Sequence, residues 1–481
     1  AALEASEEAL RHGDQNSSLM LLYAGILESL GRDADAEQVY WRILDVKPDA
    51  SHAYVLLSSL LARAKRFDDG FAVLEKLRKR NSAEPMGYYY MGKLQELANN
   101  LKRAEQEYRK ALSLAQQKES IALDLIRVLI KQSKYDEVEK VCRNVLARNP
   151  GNVAVRRVLG QILINQERLD DALDELEVLQ DAEADPTDTR FTMAVIHVQQ
   201  RNYEDAVREL NLILAKSPGH AKARYYLGSV FAGLGRKKDA LIELRQIPHD
   251  HELFVKSMMF GAYLLRQDGH IDQAIELLET ALGHKSGDRD LGLSLISIYR
   301  EGGHFSDALR LIRTQLKDRP EDEKLRFYHG VVLHDLDDET GARKEMENLL
   351  ALNPDHSDAL NFVAYSFAEE GVELERAMDL ISRALKLKPN DGYYMDTLGW
   401  IHFQRGEYLE ALPILQRAVS LTGQDAVILE HLGDVFIKLD QSTKALKAYK
   451  SAIERARAAG DRESIVTLER LQNKVRVFES P

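Results

Sequence analysis

Small and apolar residues recur along this chain at a nearly constant interval of about 34 residues. Each of thirteen marker positions is followed four residues later by an apolar side chain, and most are preceded twelve residues earlier by a small one. The residues between them keep the three- and four-residue spacing of amphipathic helices, so each interval predicts two short antiparallel helices. The markers are Ala36, Gly70, Ala104, Val138, Ala172, Ala206, Ala240, Ala274, Ala308, Ala342, Ala377, Ala411 and Ala445.

Two copies depart from this regular pattern. The step from Ala342 to Ala377 is one residue longer than the others, with the extra residue near Gly371. A tolerated loop insertion explains it, and a hinge or a ligand contact is the alternative. Pro248 comes only eight residues after Ala240, earlier than the prolines that close other copies. Because proline stops a helix, we expect the second helix of that copy to be short.

The two ends of the chain differ from the middle. Residues 1–16 continue the pattern as the second helix of a repeat without its first helix, which predicts that the chain is a fragment of a longer protein. Residues 17–457 hold the thirteen copies, and residues 458–481 form a last helix. In that helix Ile465, Leu468, Leu471 and Val475 are expected to pack on the last copy. Arg470 and Lys474 are among the charged residues expected to face water.

Composition limits the possible functions. The net charge is −12, which argues against nucleic acid as a partner, because phosphate binding needs a basic surface. The single cysteine, Cys142, excludes an internal disulfide and a cysteine-rich metal site. Cys142 occupies one of the apolar positions, so a buried, inert thiol is predicted instead of a nucleophile. No apolar run is long enough to span a membrane.

The sequence shows no catalytic signature. Phosphate-binding loops, nucleophile elbows and zinc-protease motifs are all missing from it. His249-Asp250-His251 resembles a metal-ligand pair, but no further ligand has suitable spacing, so a solvated loop is the favoured interpretation. We therefore predict no enzymatic activity, no cofactor and no metal site.

One segment identifies the type of repeat. Residues 392–423 combine Leu398-Gly399 and Tyr408 with Ala411, Leu415 and Ala418. This pattern resembles the tetratricopeptide (TPR) repeat, whose period is also about 34 residues. The resemblance implies an all-α fold: a right-handed superhelical α-solenoid of about thirteen TPR helix pairs, with a partial N-terminal repeat and a C-terminal capping helix. It also implies a concave groove lined by first helices, through which the protein binds segments of other proteins.

In the repeat family, the second, fifth, ninth and twelfth places of each unit face the groove, counting Gly392 as a first place. Basic and aromatic side chains occupy or adjoin many of these places, and aromatic residues and arginine dominate the energy of protein interfaces. The alternatives are that an aromatic residue packs between helices and that the charges form a solvated face. The candidate binding residues are Tyr89, Lys93, Arg127, Arg157, Lys222, Tyr225, Lys256, Tyr263, Arg266, Arg300, Tyr365 and Trp400.

The sign of the charge changes along these places. The middle of the chain is mainly basic, which predicts a partner segment with acidic or C-terminal carboxylate groups held by Arg127, Arg157 and Lys222. The C-terminal places are acidic instead: Asp358, Asp396, Glu430 and Asp434.

The C-terminal part carries a second resemblance. The run Ala359-Leu360-Asn361 with Tyr365, followed by Asp396-Thr397-Leu398-Gly399-Trp400, is similar to a block in large TPR lipoproteins of Gram-negative bacteria. That resemblance covers about residues 357–437. It implies an adaptor on the periplasmic side of the outer membrane, serving a processing protease or an export assembly, with a lipid anchor outside this chain. The alternative is a cytoplasmic regulatory TPR module of a larger enzyme or signalling complex.

Overall fold

The computed structural model describes residues 16–115, 118–459 and 462–479, with no side-chain description for residues 459, 462–466 and 477–479. Within these ranges the chain forms twenty-seven α-helices and no strand, which confirms the all-α prediction. The predicted helix at residues 1–16 lies outside the described residues, apart from Asn16, and so does the side chain of Ile465. The helices fall into two compact units, of which unit 1 ends at Ala223 and unit 2 begins at Arg224.

In unit 1, consecutive helices pair as the sequence pattern predicts. The helices are α1 Ser17–Ser29, α2 Asp33–Val46, α3 Ser51–Arg63, α4 Phe67–Arg80, α5 Pro85–Leu97, α6 Leu101–Leu114, α7 Glu119–Lys131, α8 Tyr135–Arg148, α9 Val153–Asn165, α10 Leu169–Ala182, α11 Thr187–Gln199 and α12 Tyr203–Lys216. The next helix, α13 Ala221–Gly233, contains the boundary between the units. Odd-numbered helices are the first helices of each pair.

Unit 2 continues with helices of similar length. They are α14 Lys237–Arg245, α15 Phe254–Gln267, α16 Ile271–His284, α17 Arg289–Glu301, α18 Phe305–Asp318, α19 Glu323–Asp335, α20 Glu339–Leu352, α21 Ser357–Glu370, α22 Leu374–Leu387, α23 Gly392–Gln404, α24 Tyr408–Leu421, α25 Ala426–Lys438, α26 Ser442–Ala459 and α27 Arg462–Glu479. Helix α14 has nine residues where the other second helices of unit 2 have at least fourteen, which confirms the effect expected of Pro248.

The two helices of a pair meet where a small residue faces a bulky one, as the pattern predicts. A Cβ atom built on Gly399 would lie 2.6 Å from Leu415 Cγ, and one on Gly433 would lie 2.3 Å from Tyr449 Cε1. A Cβ atom built on Gly160 would likewise lie 3.4 Å from Leu176 Cδ2. Cys142 occupies the bulky position of its pair and has no exposed surface. The predicted burial of this thiol is confirmed, and burial raises its pKa to about 12, which disfavours the reactive thiolate.

The turn inside each pair has the same backbone conformation. One residue there has a positive φ, for example 72° at Gly31, 60° at Lys65 and 74° at Gly235. The following N–H donates to a carbonyl five residues back, as from Arg66 to Leu61 at 2.8 Å. This Schellman geometry ends the first helix and starts the second. The extra residue of the long copy lies in the corresponding turn, where Gly371 and Glu373 both have positive φ.

Candidate protein-binding surface

Contacts between neighbouring first helices define the surface that carries the candidate residues. Tyr89 of α5 donates a hydrogen bond to Asp124 of α7, with 2.7 Å between the oxygen atoms. In unit 2, His431 of α25 pairs with Asp396 of α23 at 2.9 Å. Each contact joins residues 35 positions apart, so the first helices lie side by side within each unit. We call this face of each unit its first-helix surface.

In unit 1, Tyr89 and Lys93 form one aromatic and cationic cluster. The Lys93 ammonium lies 4.9 Å from the centre of the Tyr89 ring and 5.8 Å from that of Tyr90. The two rings meet edge to face at 5.1 Å. Burial and the hydrogen bond to Asp124 raise the pKa of Tyr89. The structure therefore brings two predicted site residues together on one half-buried platform.

Arg127, the central cation of the predicted carboxylate site, is already paired. Its guanidinium donates two hydrogen bonds to the Glu96 carboxylate, at 3.0 and 2.9 Å, and lies 2.8 Å from Asp124. Lys131 adds a third contact to Glu96, at 2.8 Å. The hydrogen bonds from Arg127 lower the pKa of Glu96 to about 2. Arg127 thus ties α5 to α7 before any partner arrives.

The other predicted arginines behave in the same way. Arg157 pairs with Glu183, Arg266 with Glu301 at 2.6 Å, and Arg300 with Asp335 at 2.5 Å. The last two pairs cross from one first helix to the next. Because each guanidinium has a carboxylate partner within the chain, these arginines are less available to an external carboxylate than the sequence implied. Lys222 differs, since it is exposed and no carboxylate in the described ranges pairs with it.

Unit 2 holds a second aromatic cluster on its first-helix surface. Phe260 lies 6.4 Å from Tyr225 and 6.5 Å from Tyr263 between ring centres, and its ring is nearly parallel to that of Tyr263. Lys256 lies over the Tyr225 ring at 5.0 Å. Tyr263 keeps 48% of its surface exposed although it is a large aromatic residue. The cluster therefore joins three predicted site residues, Tyr225, Lys256 and Tyr263.

Trp400 belongs to a buried stack instead of an open surface, and Tyr365 lies partly buried beside that stack. The Trp400 indole is nearly parallel to the Phe403 ring at 4.5 Å and to the His431 imidazole at 4.1 Å, and only 9% of the residue is exposed. Tyr365 lies 6.4 Å from the same imidazole. This burial favours the packing interpretation for Trp400 and leaves little of its ring for a partner.

The stack contains a buried acid–base pair, which makes stability depend on pH. Burial of His431 alone would lower its pKa, but the Asp396 carboxylate, helped by Glu369 and Asp434, raises it above the ordinary 6.5. A raised pKa stabilises the fold fully below the unfolded value, and this contribution is lost as the pH rises through the folded pKa.

We therefore expect the free energy of unfolding to fall as the pH rises above about 6.5. Hydrogen exchange in α23 and α25 at increasing pH, corrected for the intrinsic exchange rate, measures the loss locally. The variants His431→Gln and Asp396→Asn should each remove this slope. A slope of equal size in both variants would assign the dependence to other groups.

The acidic C-terminal places are neutralised by the chain itself. Arg470 of α27 donates to Glu430 at 2.7 Å, and Lys474 contacts Glu430 at 2.8 Å and Asp434 at 2.6 Å. Arg470 is exposed, as expected, with 51% of its side chain accessible. Both cations nevertheless pair with these carboxylates, which was not expected, because a buried carboxylate such as Glu430 needs a cation nearby. The predicted packing of α27 is confirmed for Leu471, which is fully buried in the core of the last pair.

An ion pair that was not predicted from the sequence recurs inside four of the repeats. An arginine of the first helix contacts a glutamate nineteen residues later on the second helix, and both side chains are at most 24% exposed. The pairs are Arg156–Glu175, Arg190–Glu209, Arg224–Glu243 and Arg326–Glu345. The signal was visible, because each of the two residue types recurs at multiples of the repeat interval, but charged residues were assigned to the surface.

The structure gives no support to a metal site at His249-Asp250-His251. His251 accepts a hydrogen bond from the Leu253 backbone at 3.1 Å, and the His249 ring packs on His284. No group of three or more metal-binding side chains occurs in the part of the chain that the structure describes. Among the same residues, no helix combines the length and hydropathy needed to cross a membrane.

The geometry described above defines the class of protein. Within the described residues, thirteen helix pairs recur at a nearly constant period, and in most of them a small residue faces a bulky one. This makes the chain an α-helical repeat protein. Family models described as "Tetratricopeptide repeat" match residues 191–249, 265–326, 338–392 and 397–461. The model "Tetratricopeptide repeat protein 21 C-terminal ARM domain" matches residues 1–162. The chain is a tetratricopeptide repeat protein.

Several curated proteins share part of the sequence. The TPR repeat-containing protein PA4667 of Pseudomonas aeruginosa is 26% identical over 199 residues, which cover 40% of this chain and 33% of that protein. The TPR repeat-containing protein YpiA of Bacillus subtilis is 20% identical over 345 residues, covering 71% of this chain and 81% of that protein. The chain thus spans about a third of the Pseudomonas protein.

Solved structures also align with this chain, at low sequence identity. A tetratricopeptide repeat protein from Parabacteroides merdae aligns with 60% of this chain and 98% of its own, at 14% identity and a TM-score of 0.41. Yeast Tom70 aligns with 90% of this chain and 98% of its own, at 13% identity and a TM-score of 0.39.

Proposed function

We propose that this TPR protein is a non-enzymatic adaptor whose first-helix surface binds a segment of a partner protein. TPR repeats imply an interaction scaffold. The observation that carries the proposal is the aromatic cluster of unit 2, in which Tyr263 remains 48% exposed beside Phe260 and Tyr225. Exposed aromatic residues next to a cation are typical anchors for protein partners.

The double variant Tyr225→Ala/Tyr263→Ala tests this surface. We expect it to reduce the partner captured from the source cell by at least about fivefold, because the two rings supply anchor contacts. The measurement is affinity capture with the immobilised chain, quantified by mass spectrometry against the unmodified chain.

A matched control removes exposed apolar side chains elsewhere in unit 2. Ile242 and Leu409 lie on second helices and are 57% and 72% exposed. The variant Ile242→Ala/Leu409→Ala should leave capture unchanged. The first-helix surface is not the binding site if both variants reduce the amount of captured partner equally, or if neither variant reduces it.

We further propose that the adaptor works on the periplasmic side of the outer membrane, anchored by a lipid outside this chain. The support is the resemblance of residues 357–437 to TPR lipoproteins of Gram-negative bacteria. A periplasmic adaptor would bring clients to a processing protease or to an export assembly. Fractionation of source cells expressing the full-length gene tests this location. Recovery of the protein in the cytoplasmic fraction would contradict it and favour a regulatory module of a cytoplasmic complex.

A further inference from the structure

The first-helix surface of unit 2 contains a row of half-buried apolar side chains. Tyr225, Met259, Leu293 and Phe327 occupy the same place of α13, α15, α17 and α19, each one repeat after the last. None of these four side chains is fully buried. Contacts between successive first helices show that these helices are neighbours, so the four residues form a row across them, which we call the unit 2 floor.

The charges along one edge of the unit 2 floor are already balanced. Arg266 pairs with Glu301 and Arg300 pairs with Asp335, at 2.6 and 2.5 Å. Each pair joins one first helix to the next. A partner segment that approached this edge would meet neutral ion pairs and would gain little from either charge.

The opposite edge carries uncompensated positive charge. Lys256 and Lys324 each precede a floor residue by three positions, so they lie on the same helix face as the floor. Both are exposed, and no carboxylate in the described ranges lies within ion-pair distance of either ammonium. The Lys256 ammonium lies 5.0 Å from the centre of the Tyr225 ring. A neutral ring does not cancel the positive charge of the ammonium.

Asp290 occupies the place between the two lysines. Its carboxylate is 3.7 Å from Arg289, whose guanidinium also pairs with Asp322. This edge therefore carries Lys256 on α15, the partly neutralised Asp290 on α17, and Lys324 on α19. Its net charge is positive, in a chain whose overall net charge is −12.

Resting on the proposed adaptor function, we infer that the unit 2 floor binds an acidic amphipathic segment of the partner protein. The partner's apolar side chains pack on Tyr225, Met259, Leu293 and Phe327, and its carboxylates pair with Lys256 and Lys324. This assignment moves the predicted carboxylate recognition away from Arg127 and Arg157, which are paired within the chain. Charge complementarity of this kind determines which partner binds and how fast it associates.

Three matched peptides of about fifteen residues provide the probe, because a peptide of that length can bind either as an amphipathic helix or as an extended segment. All three carry the same leucine pattern, with glutamate, glutamine or lysine at every polar position. Fluorescence anisotropy should show that the glutamate peptide binds about tenfold tighter than the glutamine peptide and that added salt removes this advantage. The lysine peptide should bind most weakly.

Charge-reversal variants test whether Lys256 and Lys324 bind the carboxylates of the peptide. The variant Lys256→Glu/Lys324→Glu should weaken the glutamate peptide about tenfold and leave the glutamine peptide within about twofold. The control Lys238→Glu/Lys344→Glu makes the same change of net charge on exposed residues of second helices. Equal binding of the three peptides, binding of none, or an equal loss in the control variant would overturn the inference. The capture experiment with the tyrosine variants would still decide the adaptor function separately.

Discussion

Replacing Glu175 by alanine should lower the free energy of unfolding of the α9–α10 pair by about 3 kcal/mol. The Arg156 guanidinium lies between α9 and α10, pairs with Glu175 and donates to the Pro150 carbonyl at 2.7 Å. The Arg156 and Glu175 side chains are only 12% and 17% exposed. Removal of the carboxylate leaves a mostly buried cation with one neutral acceptor, which is the costly way to break such a pair.

Hydrogen exchange is the suitable measurement for this variant, because a repeat protein opens locally and its stability is close to a sum over neighbouring repeats. We expect faster exchange in α9 and α10 and in the pairs that flank them. The double variant Arg156→Met/Glu175→Leu removes both charges and should restore most of the protection. Protection in the single variant that equals the unmodified chain would show that the pair contributes nothing.

An exposed ion pair gives the comparison. Arg208 and Asp205 also form a pair in unit 1, but their side chains are 62% and 41% exposed. Replacing Arg208 by alanine should therefore change local stability by less than about 0.5 kcal/mol. The contrast tests burial, and not the presence of opposite charges, as the source of the effect.

Replacing Gly433 by valine should destabilise the α25–α26 pair by about 3 kcal/mol. A Cβ atom at this position would lie 2.3 Å from Cε1 of Tyr449 and 2.6 Å from its Cδ1. The Tyr449 ring cannot easily move away, because it is buried and its hydroxyl donates to Asp434 at 2.6 Å. The two helices would have to separate.

Thermal unfolding followed by circular dichroism, together with hydrogen exchange in α25 and α26, measures this effect. The second-site change Tyr449→Ala opens space for the new side chain and should recover part of the loss in the double variant. As a comparison, Gly219→Ala has no atom within 4 Å of the added Cβ and should be nearly neutral. If Gly433→Val keeps full stability, close helix approach at the small positions is not what holds the pairs together.

The helix pairs were predictable because their determinants are local and periodic. The small positions, such as Gly399 and Gly433, and the bulky ones, such as Leu415 and Tyr449, recur at a period that sequence alone reveals. Pro248 predicted the short α14 for the same reason, since proline acts on its own helix.

The candidate binding surface was less predictable, because a charged residue can pair within the chain or remain free for a partner, and the sequence does not distinguish the two. Arg127 and Lys256 both fall on places assigned to the groove, yet Arg127 is held by Glu96 and Lys256 has no carboxylate partner in the described ranges. Whether such a cation is paired depends on whether the neighbouring repeat places a carboxylate next to it. Trp400 shows the same ambiguity for aromatic rings, because its burial depends on His431, which belongs to the next repeat.

The uniform turn inside each helix pair has a consequence for how such a chain changes in length. The positive-φ residue falls at Gly31, Lys65, Asn99 and Ser133, once in each successive repeat. Cutting the coding sequence at one such turn and rejoining it at the next removes one helix from each of two neighbouring pairs and recreates the same junction. Duplication at the same points adds one copy. The number of repeats is therefore free to drift in whole units during evolution, while an insertion such as the one at Gly371 has to be absorbed in a turn.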